Sequence, residues 1–273
     1  SSDLRMPTLC GLRRRGYTSR AIRNFSERNG VSKAASTVEY AFLEHCLRED
    51  LNLTAQRVMA VLRPVKLTIT NYPEGQSETF SVENNPNDPE AGSREITFSR
   101  NLYVEAEDFL ETPVPKYKRL YPDGPECRLK GAYLIKCTGC AKDENGNVTE
   151  IFATYDPDSK GGDPADGRKV KGATIHWVDA ATAVDAEVRL YDNLFTDADP
   201  DAADKNFLEC LNPNSLEVLE GCKLEASLAD AQAPAHYQFL RLGYFCVDSK
   251  DSKPGALVFN RAVSLKDSFK PGK

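Results

Sequence analysis

Two periodicities divide the chain. From Thr8 to about residue 60, apolar side chains recur at three- and four-residue intervals, the spacing of a helix with one buried face. Thr18 or Ser19 can cap a helix carrying Ala21, Ile22 and Phe25, with Gly30 as its stop. Ser36-Thr37-Val38-Glu39 reads as a capping box opening a second helix, with Val38, Phe42, Leu43, Cys46 and Leu47 on one side. After Pro64 the period falls to two. Val65 to Thr70, Glu95 to Phe98 and Leu102 to Val104 alternate, and strand-like runs recur at 128–138, 148–155, 170–178, 184–191, 237–247 and 257–265. Asn145-Gly146 is a hairpin turn, Phe207 to Leu211 reads as a short helix before Asn212-Pro213, and Asp156 to Arg168 as a long surface loop. The pattern predicts a mainly β chain: an N-terminal α-helical module, then one or two antiparallel β-barrels.

Length and charge refine this. The 273 residues leave room for two or three domains. No apolar run approaches the ~18 residues of a membrane-spanning helix. Ser1-Ser2-Asp3-Leu4-Arg5 has no signal-peptide features and reads as a tag remnant, so native sequence is expected upstream. Eight cysteines without a disulfide-framework spacing point to a reducing cytoplasm, and Cys137-Thr-Gly-Cys140 reads as ordinary strand cysteines over a zinc or redox site. The net charge of -6 is unevenly spread. Residues 1–63 hold 11 Lys/Arg against 6 Asp/Glu, and Pro115 to Lys136 hold six basic residues against Asp123 and Glu126. Phosphate binding needs such local charge, not a basic total. Arg13-Arg14-Arg15 could touch phosphate or form a solvated helix edge.

Catalytic patterns are missing. There is no glycine-rich phosphate loop and no nucleophile elbow, and three histidines, none paired at metal-ligand spacing, make poor material for His-based catalysis. Asp197, Asp199, Asp201 and Asp204 lack the spacing of a calcium loop and read as an acidic surface. No catalytic residue and no metal ligand is assigned. A reader of single-stranded RNA needs cations, planar donors and flat rings. Lys116, Tyr117, Lys118, Arg119 and Tyr121 supply these in one stretch, Arg128 and Lys130 put two cations on one strand face, and Asn84, Asn85 and Asn87 offer amides. Tyr133 and Tyr155 suit barrel packing.

Several segments, in order, resemble glutaminyl-tRNA synthetases. They include Arg5-Met6-Pro7-Thr8-Leu9 with Gly11 to Tyr17, Arg48 to Asn52, Pro64 to Leu67, Asn85-Pro86-Asn87, Tyr117 to Leu120, Asp163 to Gly172, Ile175-His176-Trp177-Val178, Val188 to Asp192 and Gly243 to Asp248. The resemblance implies a C-terminal portion of such an enzyme: a helical connector (1–60), a proximal anticodon-binding barrel (61–160 with 237–273) and a distal one (161–236) inserted in it, of a barrel type shared with a ribosomal RNA-binding protein. The class I domain with its ATP signatures, and with it ATP and Mg²⁺, would lie before Arg5, leaving this portion without cofactor and inactive alone. The implied partner is the anticodon loop of glutamine tRNA, with no DNA or membrane, bound by a cytoplasmic monomer. By the same resemblance Asn52 and Arg57 lie near the anticodon loop, Arg57 reads the central base with Gln238 and Arg241 as partners, Asn87 and Arg119 contact the third, Lys118 neighbours them, and Arg128 binds the first. Lys116 and Lys130 stand where the family carries glutamine and arginine, and the loop Tyr121 to Pro125 is one residue longer. The alternative reading is a stand-alone RNA-binding or protein-interaction barrel; the connector argues against it.

Overall fold

The computed structural model describes residues 3–30, 38–197, 200 and 206–266. Three helices come first: α1 (Leu9–Arg15), α2 (Ser19–Asn29) and α3 (Tyr40–Thr54). The Thr8 and Thr18 hydroxyls cap α1 and α2 by accepting the amides of Gly11 and Ala21. Gly16 ends α1 in a left-handed conformation, and a Cβ there would meet Cys246 at 2.6 Å, so the position tolerates only glycine. The expected capping box falls partly outside the described residues; α3 begins at Tyr40 with Glu39 at its N-cap and no side-chain cap. Leu12, Tyr17, Ala21, Leu43, Leu47 and Leu51 form a small core completed by Tyr244, Ala262 and Val263.

The arginine run lies inside α1, where it anchors the helix. Arg14 pairs with Asp248 (3.0 Å) and Asp251 (2.8 Å), and the buried Arg15 donates to the carbonyl of Arg261.

The β region comprises β1 (Gln56–Val58), β2 (Ala60–Val61), β3 (Pro64–Ile69), β4 (Ser77–Glu83), β5 (Ser93–Ser99), β6 (Asn101–Glu105), β7 (Cys127–Leu129) and β8 (Leu134–Lys142). It continues with β9 (Val148–Tyr155), β10 (Thr174–Ile175), β11 (Val178–Asp179), β12 (Val184–Tyr191), β13 (Leu216–Leu224), β14 (His236–Phe239), β15 (Gly243–Val247) and β16 (Leu257–Ser264). Two seven-stranded sheets result, in the orders β10-β7-β8-β9-β3-β6-β11 and β1-β14-β15-β16-β12-β13-β2; β4 and β5 form a separate ribbon. In each large sheet the two edge strands are near neighbours in sequence, so each curls towards closure. The first barrel packs around Phe98, whose ring lies 5.3 Å edge-on from both Trp177 and Tyr133, with Tyr155 against Tyr133 at 4.9 Å. The second packs around Phe239, Phe245 and Phe259.

Three expectations differ from this. The barrels are not purely antiparallel: β3 pairs β9, β7 pairs β10, β12 pairs β16 and β1 pairs β14 in parallel, because the chain leaves and re-enters each sheet by crossovers. Residues 237–264 pair with β12 and β1, not with 61–160; the continuous barrel is β3–β11, and the other is started by β1 and β2 and finished by β12–β16. Phe207 to Leu211 is a turn, not a helix, with Leu211 bridged to Phe195.

The segment between β1 and β3 serves both barrels. Val58, Ala60 and Leu62 point into the second core, and Met59 and Val61 into the first, as alternation requires. Two buried carboxylates grip it. Glu105 accepts the amides of Leu62 (2.7 Å) and Arg63 (3.0 Å); Glu225 accepts that of Met59 (2.8 Å) and pairs with Arg94.

Candidate nucleic-acid interface

The cationic and amide side chains singled out above gather in three places. The first is where α3 meets β1. Arg57 and Gln238 lie opposite each other in the β1–β14 pair. Arg57 donates to Asn52 Oδ1 at 3.1 Å. Tyr244 places its hydroxyl 3.5 Å from both Asn52 Oδ1 and Gln238 Nε2, while Gln238 Oε1 is buried without a partner among the described residues. Asn87 joins by donating to the carbonyl of Asn52 (3.2 Å). Its loop is held there by Asn85, buried, whose Nδ2 donates to the carbonyls of Leu53 and Ala55 and whose Oδ1 accepts the Asn87 amide. Asn85 is thus a scaffold, while Asn52 and Asn87 are exposed.

The second cluster sits on the first barrel. Ala173 ties two neighbouring segments together: its amide donates to the Lys118 carbonyl, and its carbonyl accepts the Arg128 amide. Lys118 is exposed; Arg128 is turned onto the loop below, with Nε on the Gly162 carbonyl (2.7 Å) and Nη2 on Asp163 (3.1 Å). That loop is organised by Arg168, which binds Glu126, Asp156 and Asp166 together. Lys116, in a left-handed conformation (φ 67°), and Lys130 are exposed and make no ion pair among the described residues. Tyr117 and Tyr121 stand beside this edge, rings 6.2 Å apart and partly buried.

The third lies on the seam between barrels. Arg241, also left-handed (φ 70°), donates through both terminal nitrogens to Asp108 at 2.7 Å each. Arg119 reaches the same carboxylate at 3.1 Å. Arg241 Nη1 lies 3.2 Å from His176 Nδ1; a guanidinium only donates, so Nδ1 accepts and the ring hydrogen sits on Nε2, facing Glu105 at 3.4 Å. Burial alone would raise the Glu105 carboxyl; His176 and the Leu62 and Arg63 amides outweigh it and hold the group below its ordinary value. These residues, with Arg63, Glu107 and the Leu242 side chain, line a pocket of about 160 Å³. Asp108, fully buried, is the residue that sequence reasoning missed. Its neighbours Glu107 and Phe109 give no hint of a partner 133 positions away.

The cysteine pair lies in β8, Cys137 buried and Cys140 half-buried. Burial pushes the thiols of Cys127 and Cys137 up to about 11, which disfavours the thiolate. Among the described residues no group of three His, Cys, Asp or Glu side chains gathers as for a metal. No helix there is long and apolar enough to cross a membrane.

Two family profiles, each described as the anticodon-binding domain of class I tRNA synthetases (E and Q), match residues 55–156 and 174–248. Among curated relatives, the glutamine–tRNA ligase of Clostridium perfringens is 57% identical over 98% of this chain and 48% of its own length. That of Vibrio cholerae is 56% identical over 98% and 47%, and that of Bradyrhizobium diazoefficiens 52% over 98% and 47%. The chain therefore spans about half the length of the curated relatives it matches.

Proposed function

The chain belongs to the anticodon-binding region of the class I tRNA synthetases for glutamate and glutamine, and from that premise we propose that it binds the anticodon loop of glutamine tRNA. The observation that carries the reading is the gathering of Asn52, Arg57, Asn87 and Gln238 at one surface. These residues come from a helix end, a strand, a loop and a returning strand, and they present amide and guanidinium donors and acceptors. Unstacked bases are recognised by such planar groups on their edges. Lys116, Lys118 and Lys130 on the first barrel supply unpaired charge for phosphates, and Arg119, Arg128 and Arg241 supply oriented forks. In the family's arrangement the central base goes to Arg57, Gln238 and Arg241, the third to Asn87 and Arg119, and the first to Arg128.

The full protein would be a cytoplasmic, monomeric ligase that joins glutamine to its tRNA with ATP. The seam pocket does not suit the nucleotide. It is smaller than a nucleotide site, and the three cations in its wall, Arg63, Arg119 and Arg241, are matched by Glu105, Glu107 and Asp108, which leaves no net charge for a triphosphate. No step of ligation is assigned to this chain, and alone it forms no glutaminyl-tRNA.

The test is a titration of the chain with RNA stem-loops carrying a glutamine anticodon or a scrambled one, at fixed salt. Preference for the glutamine anticodon is expected; equal binding of both would sink the proposal. Equal binding with retained affinity would favour a shape-reading RNA barrel instead.

A further inference from the structure

We infer that Asp108 is a positioning residue that makes Arg119 and Arg241 act as one recognition unit across the seam between the barrels. The inference rests on the reading that the anticodon loop is the ligand. It does not depend on which base each arginine meets.

Three observations carry it. Asp108 is fully buried, and its backbone carbonyl accepts the Leu120 amide at 3.0 Å, so the residue is tied to the segment that carries Arg119. Its two oxygens are shared: Oδ2 takes Arg241 Nη1, and Oδ1 takes both Arg241 Nη2 and Arg119 Nη1. Arg241 comes from the other barrel, on the tight turn between β14 and β15, with its backbone in the left-handed region that a non-glycine residue occupies only when its surroundings hold it there. His176 backs the same guanidinium and is itself backed by Glu105, which grips the shared segment. The result is one hydrogen-bonded chain running from Leu62 and Arg63 through Glu105, His176, Arg241 and Asp108 to Arg119.

Two cations on one carboxylate leave guanidinium N–H groups free at the mouth of the pocket, whose wall sets three cations (Arg63, Arg119 and Arg241) against three carboxylates (Glu105, Glu107 and Asp108). Arg119 stays 40% exposed and Arg241 31%, so each keeps N–H groups for a ligand. Because both forks are fixed on the same two oxygens, moving one shifts the other. Hydrogen bonds between ionised groups at such distances set orientation as well as energy. A loop that engages one arginine therefore finds the second already aimed.

The experiment is a set of titrations of the glutamine-anticodon stem-loop, with a scrambled-anticodon loop as reference. The proteins are the unaltered chain, Asp108→Asn, Arg119→Lys, Arg241→Lys and the double lysine variant. Asn keeps one acceptor but turns a donor towards the guanidinium groups. Asp108→Asn should bind about tenfold more weakly and lose anticodon preference, a charge-assisted hydrogen bond being of that size. The double lysine variant should lose little more than either single one, because groups in one network do not add. Lysine keeps the charge and loses only the fork, so a merely electrostatic role would leave these variants unaffected. Folding is checked by circular dichroism; should Asp108→Asn fail to fold, the lysine cycle decides alone. Folded Asp108→Asn with unchanged affinity and preference, or a double variant whose loss equals the product of the single losses, overturns the coupling while leaving the proposed function standing. An unaltered chain that binds both loops equally overturns both.

Discussion

The salt dependence of RNA binding can be worked from the ion pairs. Of the seven cationic side chains at the interface, Arg57, Lys116, Lys118 and Lys130 have no carboxylate partner among the described residues, whereas Arg119, Arg128 and Arg241 are held by Asp108 or Asp163. A free cation that neutralises a phosphate releases a counterion, with a slope of about 0.7 per contact on single strands. An arginine that leaves a carboxylate for a phosphate gains less, because the freed carboxylate takes up a cation in exchange. Four free cations thus give a slope of log K against log salt of about -3, or roughly 50-fold weaker binding between 50 and 200 mM salt. The chain's net charge of -6 does not cancel this, since at physiological salt charges beyond about 8 Å are largely screened. The assay is fluorescence anisotropy of a labelled anticodon stem-loop at five salt concentrations. Lys118→Ala and Lys130→Ala should each flatten the slope by about 0.7, while Arg128→Ala should weaken binding with a much smaller change in slope. A slope shallower than about -1, or lysine variants that bind more weakly with the slope intact, would refute the division into free and held cations.

Gly172→Ala should lower Tm by several degrees, because its Cβ would meet the Glu126 carbonyl oxygen at 2.2 Å and overpacking of this kind costs about 1–3 kcal/mol; an unchanged Tm would mean that this loop is not seated against β7. The depressed Glu105 carboxyl makes the fold acid-sensitive in a definite direction: its contribution is complete above the ordinary carboxyl value and is lost as pH falls through the lower, folded value. Glu105→Gln should lower stability at neutral pH by roughly 1–3 kcal/mol and flatten the loss below about pH 4.5, read by urea titrations at several pH values. Equal acid sensitivity in both proteins would contradict it.

Periodicity located elements with a clean pattern. β9 and β12 coincide with the alternating runs 148–155 and 184–191, and Thr18 and Gly30 bracket α2. It failed where apolar residues are not where the core is. β4 alternates in burial but has only Phe80 buried and Val82 half-buried to mark its inner face, and β13 turns Leu216 and Val218 to solvent, so neither shows a clear run of inward apolar residues. The run 170–178 is over-read as one strand because His176 and Trp177 interrupt the pairing: the Trp177 ring fills the first core, and its Nε1 donates to the Lys130 carbonyl. At the site, the cations and amides were visible as residue types. Their restraints were not, because Asp108 and Asp163 are ordinary acidic residues until the fold brings them to Arg241 and Arg128.

The most informative misreading concerns Val58 to Leu62. Five buried residues in a row show no alternation, and the sequence reading divides them, Val58 to Ala60 at the end of the helical connector and Val61 and Leu62 at the start of the proximal barrel. A strand buried on both faces loses its alternation for a physical reason: each face has its own core. That places the segment between two barrels and explains why the chain's last strands return to β1. It also bears on recognition. Asn52, Arg57 and Gln238 belong to the helical end and the second barrel, Lys118 and Arg128 to the first. Reading consecutive bases demands that these groups keep fixed separations, to within about 0.5 Å. Hydrophobic packing of a shared strand sets the distance. Glu105 and Glu225, bound to its amides from opposite barrels, resist sliding along it, and the Arg241–Asp108 pair closes the seam at the pocket mouth. Polar groups so deeply buried are expensive unless fully bonded, and here they are spent where two rigid bodies must hold one register.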